Sequence, residues 1–434
     1  IYLSDDTVTA NIAFGVDSAE IDELAVERAA RIANLHDFVV KELPEGYASK
    51  IGELGVRLSG GQRQRIMIAM ALSCNPKLLI ADEPTTALDV TTQAQILSLI
   101  GELREKQGSS VLFITHDMGV VSEIADDVTV LKLGEVMETQ SVENLLRHPQ
   151  TDYSRDLLRS VPSQVPRPAR DAVSDRVVLE TRDLSKTYGG AGWFGRGREV
   201  KAVQDVSISV TKGRTLGIVG ESGSGKSTVA RCIMRLIDPS SGAIMVGGRD
   251  IATLSQKELK PQRKKIQIVF QDPMRSLNPR IEIGQSIIEG PLNFGMPRDK
   301  AIQRARELLT LVGLPASAVD RFPHQFSGGQ RQRIAIARAL AMDPDVLVAD
   351  EAVSALDVSV QAQVLDLLAE LQQRLGLGIL FITHDLGVAA QICDDVLVMQ
   401  HGRAVEYGPA AEVLGNPKQD YTKALIQAAP GRHW

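Results

Sequence analysis

The chain contains 434 residues, of which 44% are hydrophobic and 24% are charged, and its formal net charge at pH 7 is −6. These values are typical of a soluble globular protein with two or three domains, and the acidic balance argues against a dominant nucleic-acid-binding surface. No apolar run approaches the roughly 18 residues needed to cross a bilayer, and the N-terminal residues show neither the basic nor the apolar part of a signal peptide.

The chain does not begin with methionine, so we expect further sequence upstream of Ile1. The three cysteines, Cys74, Cys232 and Cys393, are far apart and show no Cys-x-x-Cys spacing. We therefore expect all three cysteines to be small, buried hydrophobic side chains in a reducing compartment, and we expect neither a metal site nor a disulfide bond.

The first part of the chain predicts helices followed by a small parallel sheet. Asp17 to Glu20 resembles a helix start, and apolar residues follow at helical spacing through Ala29. The next predicted elements are a helix, a strand, a helix and a strand, over residues 64–72, 78–81, 92–105 and 111–115. Strands that alternate with helices indicate a parallel sheet with helices on its faces.

A proline-rich linker separates this part from the rest. Residues 162–168 include three prolines, which block regular pairing and produce a semi-rigid spacer. The second part adds segments that the first one lacks. They are two alternating segments that predict an antiparallel sheet, a strand that leads into a glycine-rich loop, and a helix after that loop (177–184, 203–210, 215–219 and 227–236).

The chain contains a long internal repeat at an offset of 268 residues. Three motifs recur at that offset: Ser59-Gly60-Gly61-Gln62 as Ser327-Gly328-Gly329-Gln330, Asp82-Glu83 as Asp350-Glu351, and Thr115-His116-Asp117 as Thr383-His384-Asp385. The glycine-rich loop Gly220-Glu221-Ser222-Gly223-Ser224-Gly225-Lys226-Ser227 occurs once. Two copies of one machinery therefore share a single loop.

The glycine-rich loop matches the pattern G-x-x-x-x-G-K-[ST] between a predicted strand and a predicted helix. Glycines let backbone N–H groups close around phosphate oxygens, and the following helix N-terminus adds positive potential. We expect Lys226 to contact the β- and γ-phosphates of a nucleotide and Ser227 to hold Mg²⁺, with Thr228 completing the phosphate-binding residues.

Acidic and polar residues follow three apolar β segments of the second part. Val346 to Ala349 lead into Asp350, which we expect at the carboxyl edge of the sheet, holding Mg²⁺ through water. Glu351 is then expected to orient or deprotonate the attacking water. Gln271 and His384 stand at corresponding strand ends, so we expect Gln271 near the metal and both residues in catalysis.

The two Ser-Gly-Gly-Gln elements each precede a helix. Their backbone N–H groups and serine hydroxyls form an open anion site without a lysine. Such a site is too weak to hold a nucleotide alone. We expect it to act as a lid that meets the γ-phosphate of a nucleotide held elsewhere.

Together these residues resemble the ATP-binding cassette (ABC) family over nearly the whole chain. The resemblance implies the family's P-loop (220–227), Q-loop (Gln271), signature (327–330), Walker B aspartate and catalytic glutamate (350–351), D-loop (354–357) and switch histidine (His384). It implies Tyr188 as the aromatic side chain that stacks on adenine, with Trp193 or Phe194 as alternatives. It also implies ATP and Mg²⁺ as cofactors.

The fold implied by the resemblance is the P-loop NTPase fold of ABC ATPases, an α/β class. Its parallel sheet core carries an antiparallel β subdomain and a helical subdomain, and the first copy is incomplete. The implied domains are a partial cassette at 1–162 (helical subdomain 1–58 and a core half 59–162 without a P-loop), a linker at 163–176, a complete cassette at 177–415 and a C-terminal extension at 416–434.

The second unit is similar to the ATPase subunits of oligopeptide, dipeptide, nickel and glutathione importers. Residues 271–280, 349–358 and 416–425 carry this similarity, and residues 65–162 carry the pattern of the partner cassette. Residues 1–64 instead resemble the helical subdomain of ABC exporters, in which Glu53 would touch the transmembrane partner.

ABC dimers, by resemblance, hold ATP between the P-loop of one cassette and the signature of the other. Ser59 and Gly61 would then cap the second unit's site, whereas no P-loop is present to face Ser327 and Gly329. We expect one ATP site per chain, formed by internal pairing of the cassettes or by a homodimer.

The implied protein is peripheral to the cytoplasmic face of the inner membrane and energises uptake through permease subunits and a solute-binding protein.

Three alternatives stay open at this point. The alternatives to an importer subunit are an exporter-type subunit, a recombinant fragment with one ATP site, and a soluble twin-cassette ATPase that acts on ribosomes or DNA. Proteins of the last type usually carry a long charged linker or zinc-binding cysteines, and this sequence has neither.

Overall fold

The computed structural model describes residues 3–52, 55, 58–86, 88–168, 170, 174–189 and 199–431, with the side chains of all of these except 106 and 107. The chain divides into two compact units, residues 1–154 with 428–434 and residues 155–427. Glu53, Trp193, Phe194 and part of the linker lie outside the described residues. The domain boundaries inferred from the repeat stay a prediction, because the compact units divide the chain at different points.

The first repeat contains eight described helices and four strands. The helices are α1 (Val8–Ile12), α2 (Glu23–Ile32), α3 (His36–Glu42), α4 (Gly60–Ser73), α5 (Val90–Gln107), α6 (Met118–Ile124), α7 (Val142–Arg147) and α8 (Asp152–Arg159), with a 3₁₀ turn at Gly46–Ala48. The strands are β1 (Leu78–Asp82), β2 (Ser110–Ile114), β3 (Asp127–Lys132) and β4 (Glu135–Ser141).

The start of α2 differs from the sequence-based prediction. Asp22 caps this helix by accepting hydrogen bonds from the N–H groups of Leu24 (3.0 Å) and Ala25 (3.2 Å). Asp17 instead accepts a hydrogen bond from the Ala19 N–H in a turn that precedes the helix. The prediction of a start at Asp17 to Glu20 is wrong, because aspartate stabilises an isolated turn as readily as a helix N-terminus.

The sheet of the first unit is small and is covered on one face. Strands β1 and β2 pair in parallel, whereas β3 and β4 form a separate antiparallel pair. Leu79 and Ala81 are buried, but four residues whose side chains alternate with them along the two strands are about half exposed: Leu78, Ile80, Leu112 and Ile114. One face of this pair of strands is therefore exposed in residues 1–154.

The second repeat contains ten further helices and ten strands. The strands are β5 (Val177–Tyr188), β6 (Val200–Thr211), β7 (Thr215–Val219), β8 (Ser241–Val246), β9 (Arg249–Asp250), β10 (Ile266–Val269), β11 (Val346–Asp350), β12 (Gly378–Ile382), β13 (Asp395–Gln400) and β14 (Arg403–Pro409). The helices are α9 (Lys226–Ile233), α10 (Gln256–Arg263), α11 (Pro273–Ser276), α12 (Ile283–Asn293), α13 (Arg298–Leu311), α14 (Gly328–Leu340), α15 (Val358–Leu375), α16 (Leu386–Ile392), α17 (Ala410–Gly415) and α18 (Asp420–Gln427). Short 3₁₀ turns lie at Ala316–Asp320 and Pro323–Gln325.

A six-stranded sheet in the order β10-β11-β12-β7-β13-β14 forms the centre of the second unit. All its pairs are parallel except β13 with β14. The glycine loop leaves the carboxyl end of β7, which lies between β12 and β13. A separate antiparallel sheet in the order β6-β5-β8-β9 confirms the β subdomain expected from residues 177–210.

Helix α9 covers the sheet face that is open in the first unit. Val229 and Ile233 of this helix belong to one buried cluster with Val348 and Leu380, which are fully buried. Those two residues are the repeat counterparts of the exposed Ile80 and Leu112. The second unit is therefore a complete α/β core with its antiparallel and helical subdomains, as the sequence predicted.

The last residues of each repeat lie in the unit of the other repeat. In the second unit, a Cβ atom on Gly387 would lie 2.9 Å from the Pro162 carbonyl oxygen. In the first unit, a Cβ atom on Gly119 would lie 3.1 Å from the Pro430 carbonyl carbon. The two glycines occupy the same repeat position, and each permits a close approach of the incoming chain.

Two further expectations concern membranes and cysteines. No helix within the described ranges is both long and apolar enough to cross a bilayer. Cys232 and Cys393 are buried, but Cys74 is exposed, so the expectation that all three are buried is wrong. Cys74 directly follows α4 as its C-cap residue, and it is exposed.

Candidate nucleotide site

The glycine loop follows a path that only glycine permits at two of its positions. Gly220 and Gly225 have φ angles of 144° and 105°. A Cβ atom at Gly220 would lie 2.2 Å from the Met399 carbonyl oxygen, and one at Gly225 would lie 2.3 Å from the Ala202 carbonyl oxygen. The loop therefore packs directly on backbone from β6 and from the end of β13, which fixes its position.

Lys226 folds back over the beginning of the loop. Its ammonium group donates hydrogen bonds to the carbonyl oxygens of Gly220 (2.7 Å) and Glu221 (2.8 Å), and the residue is 5% exposed. Ser222 and Gly223 at the loop tip are exposed, whereas Ser224 is buried. Thr228 lies in the first turn of α9, directly after Ser227.

Ser227 and Asp350 meet at the carboxyl edge of the sheet. The Ser227 hydroxyl donates a hydrogen bond of 3.1 Å to Asp350 Oδ1. Burial raises the pKa of Asp350, against the opposing effect of the Ser227 hydrogen bond. Among the described residues no group of three or more His, Cys, Asp or Glu side chains is arranged so that it could hold a metal ion by itself. A single carboxylate beside a hydroxyl suits Mg²⁺, which takes oxygen ligands and is usually bound by one or two carboxylates together with substrate phosphates.

Glu351 and His384 form the second pair at this edge. His384 Nδ1 lies 3.6 Å from Glu351 Oε1, and Glu351 has a left-handed φ of 50°. Contact with His384 lowers the pKa of Glu351, against the effect of burial. Burial opposes the charged imidazole, but the facing Glu351 carboxylate outweighs it and raises the pKa of His384. The pair thus favours an ionised carboxylate next to a readily protonated imidazole.

Gln271 contacts a residue close to Glu351 in the chain, and Tyr188 is the last residue of β5. The Gln271 amide donates a hydrogen bond of 3.2 Å to the Ser354 hydroxyl, a partner that the sequence did not predict. Tyr188 is 39% exposed at the end of β5, and the Lys186 ammonium lies 5.2 Å from its ring centroid. An exposed aromatic ring on this strand is available for stacking.

Both Ser-Gly-Gly-Gln elements form capping boxes at helix N-termini. The Ser59 hydroxyl accepts the Gln62 N–H while the Gln62 side chain accepts the Ser59 N–H, and Ser327 pairs with Gln330 in the same way. Both serines are exposed.

The glycines of these elements have a packing role that sequence reasoning missed. A Cβ atom on Gly61 would lie 2.5 Å from the Thr92 methyl group, and one on Gly329 would lie 2.2 Å from a Val360 methyl group. A Cβ atom on Gly60 or Gly328 would have more room, because its nearest neighbouring atom would lie at 3.3 Å or 3.7 Å, respectively.

The first unit retains the acid–imidazole pair without a glycine loop. His116 Nδ1 lies 3.1 Å from Glu83 Oε1, and Glu83 has a φ of 46°. Both side chains are more exposed than their counterparts, at 35% and 45% against 25% for His384 and 21% for Glu351. The geometry of the strand end is thus repeated even where no nucleotide cradle is present.

Two family profiles match the sequence of this chain. The family profile described as ABC transporter matches residues 7–86 and 203–354, and the profile for the C-terminal region of oligopeptide/dipeptide transporters matches residues 405–433. The solved structure of the ATP-binding cassette MJ0796 with ADP and Pi, in a dimeric post-hydrolysis state, is 28% identical with a TM-score of 0.48, and the match covers 54% of this chain and 98% of that one.

Two curated relatives match most of the chain. The peptidoglycan transport ATP-binding protein YejF of Agrobacterium fabrum is 50% identical over 86% of this chain and 68% of its own length. The glutathione import ATP-binding protein GsiA of Escherichia coli is 49% identical over 86% of this chain and 64% of its own length. The chain thus spans about two thirds of the length of these relatives. The family match, which covers more than half of the residues, confirms the resemblance: this chain belongs to the ABC transporter family.

Proposed function

We propose that the chain is the ATP-hydrolysing subunit of an ABC importer. The observation that carries this proposal is the meeting, at one sheet edge after the glycine loop, of the Ser227–Asp350 hydrogen bond and the Glu351–His384 pair. Cassettes of this family bind ATP, and the second unit holds the full set of motifs for that purpose.

Each polar group of the site has a distinct role in the proposed reaction. Lys226 and the backbone N–H groups of residues 222–228 bind the phosphates, and Tyr188 stacks on adenine. Ser227, Asp350 and Gln271 are the residues that would hold Mg²⁺. When bound, Mg²⁺ neutralises negative charge on the β- and γ-phosphates.

Hydrolysis starts from a water molecule held against the γ-phosphate. Glu351 accepts a hydrogen bond from this water and takes its proton as the new bond to phosphorus forms. The bond between the γ-phosphorus and the bridging oxygen breaks, and ADP leaves. His384 donates a hydrogen bond towards the γ-phosphate and keeps the Glu351 carboxylate in place, which the lowered pKa of Glu351 supports.

The lid over the γ-phosphate comes from one of two sources. With internal pairing, the residues 59–62 of the first unit close the site; in a homodimer, residues 327–330 of a second copy do so. Two matched variants decide between them, Ser59→Phe and Ser327→Phe, which place the same bulk at the same helix position. Internal pairing predicts lost ATPase activity for Ser59→Phe alone, and a homodimer predicts the loss for Ser327→Phe alone.

Within residues 1–434 we infer one competent ATP site, because these residues contain one glycine loop and two Ser-Gly-Gly-Gln elements. Protein carrying Glu351→Gln, which slows hydrolysis, is titrated with ATP at equilibrium. One tightly bound ATP per chain is expected. Two bound molecules per chain contradict this part of the proposal.

The proposed cargo is a short peptide or a related small solute such as glutathione or nickel. The match of residues 405–433 to the oligopeptide/dipeptide transporter region and the names of the relatives support this class. The subunit would act at the cytoplasmic face of the inner membrane, bound to permease subunits that receive solute from a binding protein. Reconstitution with such permease subunits in liposomes is expected to raise ATPase activity. Stimulation by ribosomes or DNA instead would support the soluble twin-cassette alternative.

A further inference from the structure

A tyrosine of the C-terminal helix contacts the glycine loop. The backbone N–H of Glu221, the second residue of the loop, donates a hydrogen bond of 3.3 Å to the Tyr421 hydroxyl oxygen, although the two residues are 200 positions apart. Tyr421 lies in the first turn of α18, within the segment that matches the oligopeptide/dipeptide transporter region. The loop is thus linked to an element outside the nucleotide-binding core.

The helix that carries Tyr421 is held firmly against the second unit. The Glu406 carboxylate of β14 accepts hydrogen bonds from the backbone N–H groups of Lys418 (2.8 Å) and Gln419 (3.2 Å), just before the helix. Burial raises the pKa of Glu406, but the donors around the carboxylate outweigh it and lower the pKa. Thr422 and Leu425 are buried at 1% and 3% exposure. The position of Tyr421 is therefore set by the surrounding fold.

Hydrogen bonds with Lys226 and with Tyr421 hold the beginning of the loop, and we expect nucleotide binding to affect them differently. Lys226 holds the carbonyl oxygens of Gly220 and Glu221, whereas Tyr421 holds the Glu221 N–H. In the proposed site the Lys226 ammonium reaches the β- and γ-phosphates of a nucleotide, which leaves fewer of its three donors for the two carbonyl oxygens. The contact with Tyr421 uses the Glu221 N–H, which lies outside the residues 222–228 that we propose to bind phosphate. It therefore counts for more in the bound state than in the free state.

We propose that Tyr421 is a positioning residue that holds the first peptide groups of the glycine loop in their nucleotide-binding conformation. Without the hydroxyl, the loop has more freedom once Lys226 has moved, and binding must bear the cost of ordering it. We expect the effect to fall on nucleotide affinity, since the Tyr421 hydroxyl contacts the start of the loop, whereas the Glu351 carboxylate faces His384.

The repeat supplies a matched control. Tyr153 is the counterpart of Tyr421, and in the first unit its ring lies 4.5 Å from the ammonium group of Lys132. The first unit contains no glycine loop, and Lys132 is replaced by Gln400 at the corresponding position of the second. Tyr153 and Tyr421 thus occupy the same position in the repeat but have different polar neighbours, Lys132 for the first and the Glu221 N–H for the second.

The inference rests on the proposed nucleotide site, so the experiment separates the two. The dissociation constant of MgATP, measured with a fluorescent ATP analogue as probe, is compared for the full chain and for Tyr421→Phe, Tyr153→Phe and Lys226→Ala. We expect Tyr421→Phe to weaken binding about fivefold, the value of one hydrogen bond between neutral groups, and to leave kcat at saturating ATP and the melting temperature unchanged. Tyr153→Phe is expected to have the same dissociation constant for MgATP as the chain without substitutions.

The possible outcomes lead to different conclusions. Unchanged affinity in Tyr421→Phe overturns the positioning role, and so does a loss of affinity that comes with an equal fall in melting temperature, since that indicates a structural role. If the unchanged chain binds no nucleotide, or binds it as weakly as Lys226→Ala, the proposed site fails before Tyr421 is tested.

Discussion

The imidazole of His384 lies 3.6 Å from the carboxylate of Glu351. Glu351 adopts a left-handed backbone conformation that residues other than glycine rarely adopt. The same conformation and the same pairing recur at Glu83 and His116. Such backbone conformations persist only where the surrounding structure enforces them, and they cluster at functional sites. The two equivalent strand ends thus have the same local geometry, although the glycine loop of residues 220–227 belongs to the second unit.

This equivalence supplies the first prediction. Glu351→Gln removes the group that accepts a proton from water, so kcat for ATP hydrolysis is expected to fall by about 10²- to 10⁴-fold. Nucleotide binding is expected to persist, because the phosphate contacts remain. Glu83→Gln is the matched control and should leave kcat unchanged. Equal losses in the two variants would show that both strand ends take part in hydrolysis.

The uncovered face of the first unit predicts a contrast in stability. Ile80 is 61% exposed, whereas its counterpart Val348 is fully buried. Val348→Ser is expected to destabilise the protein by about 3 kcal/mol, since it leaves a cavity and buries a hydroxyl. Ile80→Ser should change the free energy of unfolding by no more than about 0.5 kcal/mol.

Urea unfolding followed by circular dichroism measures both effects. Ile80→Ser should also lower the binding of the dye ANS, because it removes part of the exposed apolar face. A destabilisation by Ile80→Ser as large as that by Val348→Ser would mean that the face is covered in solution.

A buried ion network links the segment after the first repeat to the central sheet and gives a prediction about pH. The Asp394 carboxylate, whose side chain is 2% exposed, lies 2.9 Å from guanidinium nitrogens of Arg167 and Arg170 and accepts the Thr215 N–H at 2.8 Å. Burial raises the pKa of Asp394, but these donors outweigh it and lower the pKa below its usual range. Removal of the charge by Asp394→Asn is expected to cost about 3 kcal/mol at neutral pH.

The sign of the pH dependence follows from the lowered pKa. A carboxyl group with a lowered pKa in the folded state stabilises the protein fully above its unfolded pKa, about 3.9, and loses this contribution as the pH falls through the folded value. The difference in stability between the unchanged chain and Asp394→Asn should therefore shrink below about pH 4. Asp126→Asn is the control at the same repeat position, where the side chain is 83% exposed and pairs with Arg104. A difference that grows on acidification contradicts the assignment.

The cysteines give a prediction by chemical labelling. Cys74 is exposed, whereas Cys393 is fully buried and burial raises the pKa of Cys232 to about 11. A thiol reagent such as Ellman's is expected to modify one cysteine of the native chain at neutral pH and all three after denaturation, because the thiolate is the reactive form. Cys74→Ser should abolish native labelling. Rapid labelling of a second cysteine would show that the second unit opens.

Local patterns predicted the elements of the second unit closely. The strand over 215–219 has the bounds expected from its apolar run, and the strand that ends in Asp350 does as well. In both, a short buried run is followed by a motif that cannot continue the strand. Where a local signal has two structural uses, prediction failed: Asp17 caps a turn, and α2 begins six residues later at Glu23.

By itself the sequence determined the motifs on which the proposed chemistry rests: one glycine loop, two Asp-Glu strand ends, two Thr-His-Asp motifs and two Ser-Gly-Gly-Gln elements before helices. These are local patterns of residue type and spacing, so they can be read along the chain. Only the tertiary structure decided that Tyr421 supports the loop, that Asp394 collects two arginines, and that β1 and β2 stay open on one face. Those contacts join residues far apart in the chain, and they depend on strand order and burial, which no local pattern specifies.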